Sequence, residues 1–463
     1  MITSLNRLVA WAGTCAAVAF LFGNIRTTDM PVGYPFLLIV LACAAGNVLL
    51  VESPGRSVVV RASVVPLIAF LAYFLLRMIL DIHDPADMKA YTIGTTGGIL
   101  FALIFGTATS VFLGVLGGRH DLPHRGLLGT TCFLGLCALL ALYVLLTHLG
   151  SRRADLFLIE GTNLSYQRPG SLATIAALVV STHLAIAVKA SSAGVASRAL
   201  LASCFAFYAF TIAALMLTAQ LVGSNLGFVL TFLLGAGTFT WLWRPRLRQL
   251  QWRRLVGGGR LTLGAMLLRS SPRLALSGIA LLAVAALAGL LILAKLGIDV
   301  HSFRIFGFSE GRVGGNSLSS RFALLTNDFV RQLAVAPFFG NLNADALTSG
   351  RGTYAHSLLS LLSHTGIVGA SLFVSYAARL FRELRRPALQ GAHFYSDVDF
   401  VLFRAVMMGV ILFFACIGTF FTWMPLWFAC GLLLPSLLLK RASAYSPEAC
   451  RATVAVAVDR GVL

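Results

Sequence analysis

The stretch RGTYAHSLLSLLSHTGIVGASLFVSY, Arg351 to Tyr376, sets a tyrosine and a histidine at the mouth of an apolar run. About 20 mostly apolar residues suffice for a helix to cross a bilayer. The run from Ala355 to Leu380 meets that length with Arg379 as its one formal charge. The segment therefore reads as a membrane span with His356 at its entrance and a Gly/Arg-rich loop in front.

The same pattern repeats along the chain. Hydrophobic residues make up 58% of the 463 and charged ones 11%, with a mean hydropathy of +0.86. That is well above the apolar share of about 45–50% in soluble domains, so a soluble globular protein is excluded. The sequence predicts an all-α polytopic membrane protein, one integral membrane domain over 1–463, with about twelve spans. They fall near 7–23, 35–51, 58–80, 92–117, 126–149, 172–190, 199–222, 225–243, 274–296, 355–380, 400–420 and 423–440. The sequence AVA at Ala17 to Ala19 resembles a signal-peptide cleavage site, but the first run reads as a membrane anchor.

The net charge of +19, from 36 Lys plus Arg against 17 Asp plus Glu, would point to nucleic acid in a soluble chain. Here the charges punctuate apolar runs. With the N-terminus inside, most basic residues fall in inner segments, as the positive-inside rule requires. These include the basic loop 244–273 and the tail 441–463, so both termini are expected in the cytoplasm. Arg61, Arg77 and Arg404 lie near span ends, where snorkelling to the interface suffices. The eight cysteines show neither Cys-x-x-Cys nor Cys/His ligand spacing, so no thiolate metal site is expected.

The large outer loop, 297–355, breaks the charge rule. It carries Arg304, Arg312, Arg321, Arg331 and Arg351 where topology gives no reason for cations. Its first part is rich in Gly and Ser and reads as irregular. In SSRFALLTNDFVRQLAVAP, Phe322, Leu325, Phe329 and Leu333 recur at helical spacing, with Ser320 able to cap the start and Pro337 to end it. This predicts an amphipathic helix over the bundle or on the membrane surface. Asp328 and Arg331 share its polar side and suit a surface ion pair worth under about 1 kcal/mol. FFGNLNADALTSGRGTY then returns to loop. His364, eight residues after His356, does not give the His spacing of a helical zinc site and reads as structural.

Arg321, PFFG at Pro337 to Gly340, and AHSLLSLLSHTGIVG at Ala355 to Gly369 form an ordered combination. It resembles the O-antigen ligase and O-antigen polymerase superfamily of bacterial envelope glycosyltransferases. That family pairs an Arg opening a loop helix with a Pro-aromatic-aromatic-Gly turn, and an Ala-His-Asn/Ser with a following Gly-Ile-x-Gly. The likeness is specific over about fifty residues and architectural elsewhere. The resemblance implies transfer of a glycan from undecaprenyl pyrophosphate to a sugar hydroxyl at the periplasmic face of the inner membrane. No cofactor and no metal is implied, and the course is one inverting displacement. In a ligase, for lipopolysaccharide biosynthesis, the acceptor is a lipid A core sugar. In a repeat-unit polymerase for O-antigen, capsule or exopolysaccharide it is another lipid-linked glycan.

On that resemblance His356 activates or orients the acceptor, since an imidazole titrates near neutrality. Arg321 and a second loop arginine hold the pyrophosphate, as guanidinium groups bind phosphate oxygens bidentately. Arg304, Arg312, Arg331, Arg351, Tyr354 and Asn225 complete the candidate substrate-binding set. One departure stands out: the family commonly carries Ser-Arg-Gly before the eighth span, and here Ser224 precedes Asn225. Either Arg304, Arg312 or Arg351 takes over from that cation or the substrate differs. The rival class is a lipid-linked glycan flippase or other carrier. The short connection from Ala190 to Arg198, the lack of a carrier signature in ESPGRSVVVR and the lack of likeness between halves speak against it.

Overall fold

A computed structural model describes residues 2–26, 34–50, 64–85, 88, 96–117, 123–149, 167–191, 198–222, 224–242, 287, 289–291, 294–295, 297, 327–348, 359–385, 409 and 423–438. The elements among them are α1 (Ile2–Arg26), α2 (Tyr34–Leu50), α3 (Val65–Asp81), α4 (Gly97–Gly117), α5 (Pro123–His148) and α6 (Gln167–Ser191). They continue with α7 (Arg198–Leu221), α8 (Asn225–Leu242), α9 (Phe329–Val335), α10 (Ala344–Thr348), α11 (Leu359–Arg385) and α12 (Met424–Leu438). No strand occurs among the described residues. Among the described residues six helices are long and apolar enough to cross a membrane: α1, α4, α5, α6, α7 and α11. The described residues are all-helical, and the protein is a membrane protein. The expected spans over 274–296 and 400–420 fall almost wholly outside the described residues.

These runs are helical because a membrane leaves the backbone no other donor or acceptor, so each amide must bond within its own segment. Buried hydroxyls follow the same rule. Thr14 donates to Ala10 O at 2.8 Å, Thr109 to Phe105 O at 2.8 Å, and Thr218 to Ala214 O at 2.8 Å, each to the carbonyl four residues back.

Helix α6 is the centre of the bundle. Every residue from Pro169 to Ala187 is buried, and α1, α4, α5, α7, α8 and α12 pack around it. Aromatic side chains join the surrounding helices: Phe20 of α1 meets Phe101 and Phe105 of α4, and Phe105 meets Phe428 of α12 at 5.8 Å between ring centres. A second cluster, Phe70 of α3 with Phe373 of α11 and Trp427 of α12, links the helices that carry the site below.

Helices α4 and α12 cross at bare backbone. A side chain on Gly106 would strike the carbonyl of Phe428, and one on Gly431 the carbonyl of Leu103. Small residues at such crossings allow the van der Waals contact that holds helices together in lipid. Gly431→Ala is expected to lower the thermal midpoint in detergent by the equivalent of about 1–3 kcal/mol of overpacking. Gly98→Ala, which meets open space, serves as the neutral reference.

Candidate functional site

The two motif segments singled out in the sequence meet at a break in α11. Gly366 sits at φ 63° and ψ −172°, a conformation essentially confined to glycine. The helix is therefore interrupted between Thr365 and Ile367, not continuous as the apolar run had implied. Its pattern gave no warning, because one glycine in an apolar run is common in membrane helices.

The gap is filled by the Pro337 to Gly340 turn. The amide of Ile367 donates to Pro337 O at 3.0 Å, and that of Val368 to Phe338 O at 3.1 Å. In the other direction Asn341 N donates to Ser363 O at 3.3 Å. Gly340, at φ 70°, lies against the backbone of His364, Thr365 and Gly366, where a Cβ would collide. Two glycines in positive φ thus let two irregular backbones touch.

Helix α3 grips the same turn from the other side. Tyr73, Arg77 and Asp81 recur every four residues and so share one face. The Tyr73 hydroxyl donates to Phe339 O. Arg77 Nη2 donates to Gly340 O at 2.7 Å and pairs with Asp81. Asp81 Oδ2 accepts from Leu342 N at 2.8 Å. The Arg77 and Asp81 side chains keep 16% and 4% of their surface. This corrects the expectation that Arg77 snorkels: its charge is taken up by Asp81 and a turn carbonyl.

The surrounding loop also departs from expectation. Of the predicted amphipathic helix the described part is α9, Phe329–Val335, on which Phe329 and Leu333 are half-buried and the buried residue is Gln332, while Ser320, Phe322 and Leu325 lie outside the described residues. The segment after the turn, expected as loop, contains the short helix α10. Asn343 N bonds Asn341 Oδ1 at 2.8 Å and Ala344 N bonds Asn341 O at 3.0 Å, which turns the chain into α10. His364 is buried, and its Nδ1 donates to Ser360 O at 2.7 Å. Another buried histidine, His183 of α6, packs its ring on Phe133 at 4.2 Å.

Of the site residues expected from the sequence, Arg331 lies exposed on α9. Asn225 opens α8, half-buried, its Oδ1 accepting from Gln220 Nε2 at 3.5 Å. Just before it, Ser224 caps α8 by accepting from Gly227 N at 3.1 Å. Asn225 and Arg331 stand on helices with different packing neighbours. His356, Arg321, Arg304, Arg312, Arg351 and Tyr354 lie outside the described residues. Among the described residues no group of three His, Cys, Asp or Glu side chains is placed to hold a metal ion. Scans against family models, curated proteins and solved structures find no match to the chain.

Sequence reasoning missed Tyr73, Arg77 and Asp81. The available signal was a charged pair at i, i+4 in the last turns of an otherwise apolar helix. Gly366→Ala is expected to lose about 1–3 kcal/mol to backbone strain and to displace the turn, read as a fall in melting temperature. Asp81→Ala, which strands Arg77, is expected to cost about 3–5 kcal/mol. The double variant Arg77→Ala/Asp81→Ala should cost less than the two single losses added together, as a double-mutant cycle would measure.

Proposed function

We propose that the protein is a membrane glycosyltransferase of the O-antigen ligase and polymerase type. It moves an oligosaccharide or polysaccharide from undecaprenyl pyrophosphate to a sugar hydroxyl at the outer face of the bacterial inner membrane. In this proposal twelve spans put both termini in the cytoplasm and residues 297–355 in the periplasm. The observation that supports it is the union of the two segments on which the resemblance rests. PFFG and the HTGIVG part of α11 join backbone to backbone, so the motif is one physical unit.

That unit bears on the proposed catalytic residues through the chain itself. His356 lies three residues before α11 begins, and Arg321 eight before α9. The docked turn fixes the helices from which both chain ends depart, which favours a reproducible placement of imidazole and guanidinium. In the proposed step the acceptor oxygen attacks the anomeric carbon while His356 takes its proton. The bond from that carbon to the pyrophosphate oxygen breaks with inversion, and Arg321 with a second loop arginine, Arg351, Arg312 or Arg304, balances the departing charge.

A broken helix is also a feature of carriers, whose open backbone groups coordinate ions. Here the groups freed at Ser363, Ile367 and Val368 are taken by the turn, which favours a structural break.

Reconstitution with a lipid-linked oligosaccharide, with and without lipid A core, tests the proposal. Capped core marks a ligase and laddered glycan a polymerase, while movement without a new bond would contradict both. His356→Ala and Arg321→Ala are each expected to lower transfer at least about 10²-fold with insertion unchanged. Normal transfer by His356→Ala would remove the general-base role.

A further inference from the structure

The Pro337 to Gly340 turn reads in sequence as part of an extramembrane loop, yet protein groups take up every one of its carbonyls. Four successive carbonyls are satisfied from outside the turn: Pro337 O by Ile367 N, Phe338 O by Val368 N, Phe339 O by Tyr73 and Gly340 O by Arg77. In water a turn has no need of this, since solvent serves its carbonyls. In hydrocarbon each orphan would be costly, and irregular backbone persists there where protein supplies its partners.

The turn also lies beside exposed apolar side chains. Its partners on α3, Tyr73 and Arg77, stand one turn apart, about 6 Å along the helix axis. The same helical turns of α3 expose Leu75, Leu76, Ile79 and Leu80, with Ile79 63% exposed. Ile367 and Val368, just past the break in α11 and bonded to the turn, are exposed as well. Phe338 and Phe339 are 64% and 61% exposed, and Val330 and Leu347 of the adjoining α9 and α10 are exposed as well. The charged groups of α3 that hold the turn region, Arg77 and Asp81, are paired and largely buried, as charges within a bilayer must be.

We infer that Pro337 to Asn341 form a re-entrant turn seated in the hydrocarbon region, with Phe338 and Phe339 against the acyl chains of bilayer phospholipid, whatever reaction the protein performs. The aromatic pair of PFFG is then a lipid-facing wedge, and the backbone of the motif holds the helix break.

The test uses the full-length protein in phosphatidylcholine/phosphatidylglycerol liposomes, with the photoreactive residue p-benzoyl-phenylalanine placed singly at Phe338, at Phe339 and, as reference, at Ile79. Both turn positions project outward, so either suffices if the other impairs folding. Irradiation followed by mass spectrometry is expected to find phospholipid adducts at the turn in yields comparable to Ile79. Adducts at Ile79 with none at either phenylalanine would overturn the inference. Cross-links at the turn joining two copies of the chain would overturn it too, because another protomer and not lipid would then cover the patch.

Discussion

Between Thr365 and Ile367 the backbone of α11 leaves the helix, and a broken helix among membrane spans has no water to repair it. The turn from Pro337 to Gly340 supplies the missing partners. Its carbonyls accept the amides of Ile367 and Val368, while Asn341 donates to the carbonyl of Ser363. Each irregular segment is thus the solution to the other's unsatisfied groups. That interdependence makes Gly340 and Gly366, both at positive φ, poorly open to substitution.

The clamp from α3 extends this constraint into the bundle. Tyr73, Arg77 and Asp81 hold Phe339, Gly340 and Leu342 in chain order. Helix α3 is itself tied to α11 and α12 by the Phe70, Phe373 and Trp427 cluster. A buried ion pair contributes little net stability against an apolar substitute, but it is unforgiving of a missing partner. Here that property fixes register: the turn fits α3 in one position. The proposed chemistry needs such registration, because His356 and Arg321 stand on the chain segments leading into the unit.

Much of this was legible before the structure. Apolar runs of span length gave the helices, since a bilayer demands about 20 such residues in a row. PFFG and GIVG were visible as a pair, though not as a contact. The break at Gly366 was hidden, because periodicity records which face of a helix is apolar and not whether the helix is continuous. Arg77 was misread for a related reason. Its i, i+4 partner Asp81 looks like a local surface pair, while the carbonyl that explains it belongs to Gly340, 263 residues away. The short helix α10 was missed because Asn341 and Asn343 mark a turn in sequence, and the turn proved to be the start of a helix.

The contact between Gly340 and Gly366 is where all of these threads meet. Solid-state NMR of the isotopically labelled protein in lipid bilayers can observe it directly. A short-range cross-peak between the α carbons of Gly340 and Gly366, with a non-helical shift for Gly366, is the predicted result. A helical shift at Gly366 with no cross-peak to Gly340 would mean that α11 runs unbroken and that the turn docks elsewhere.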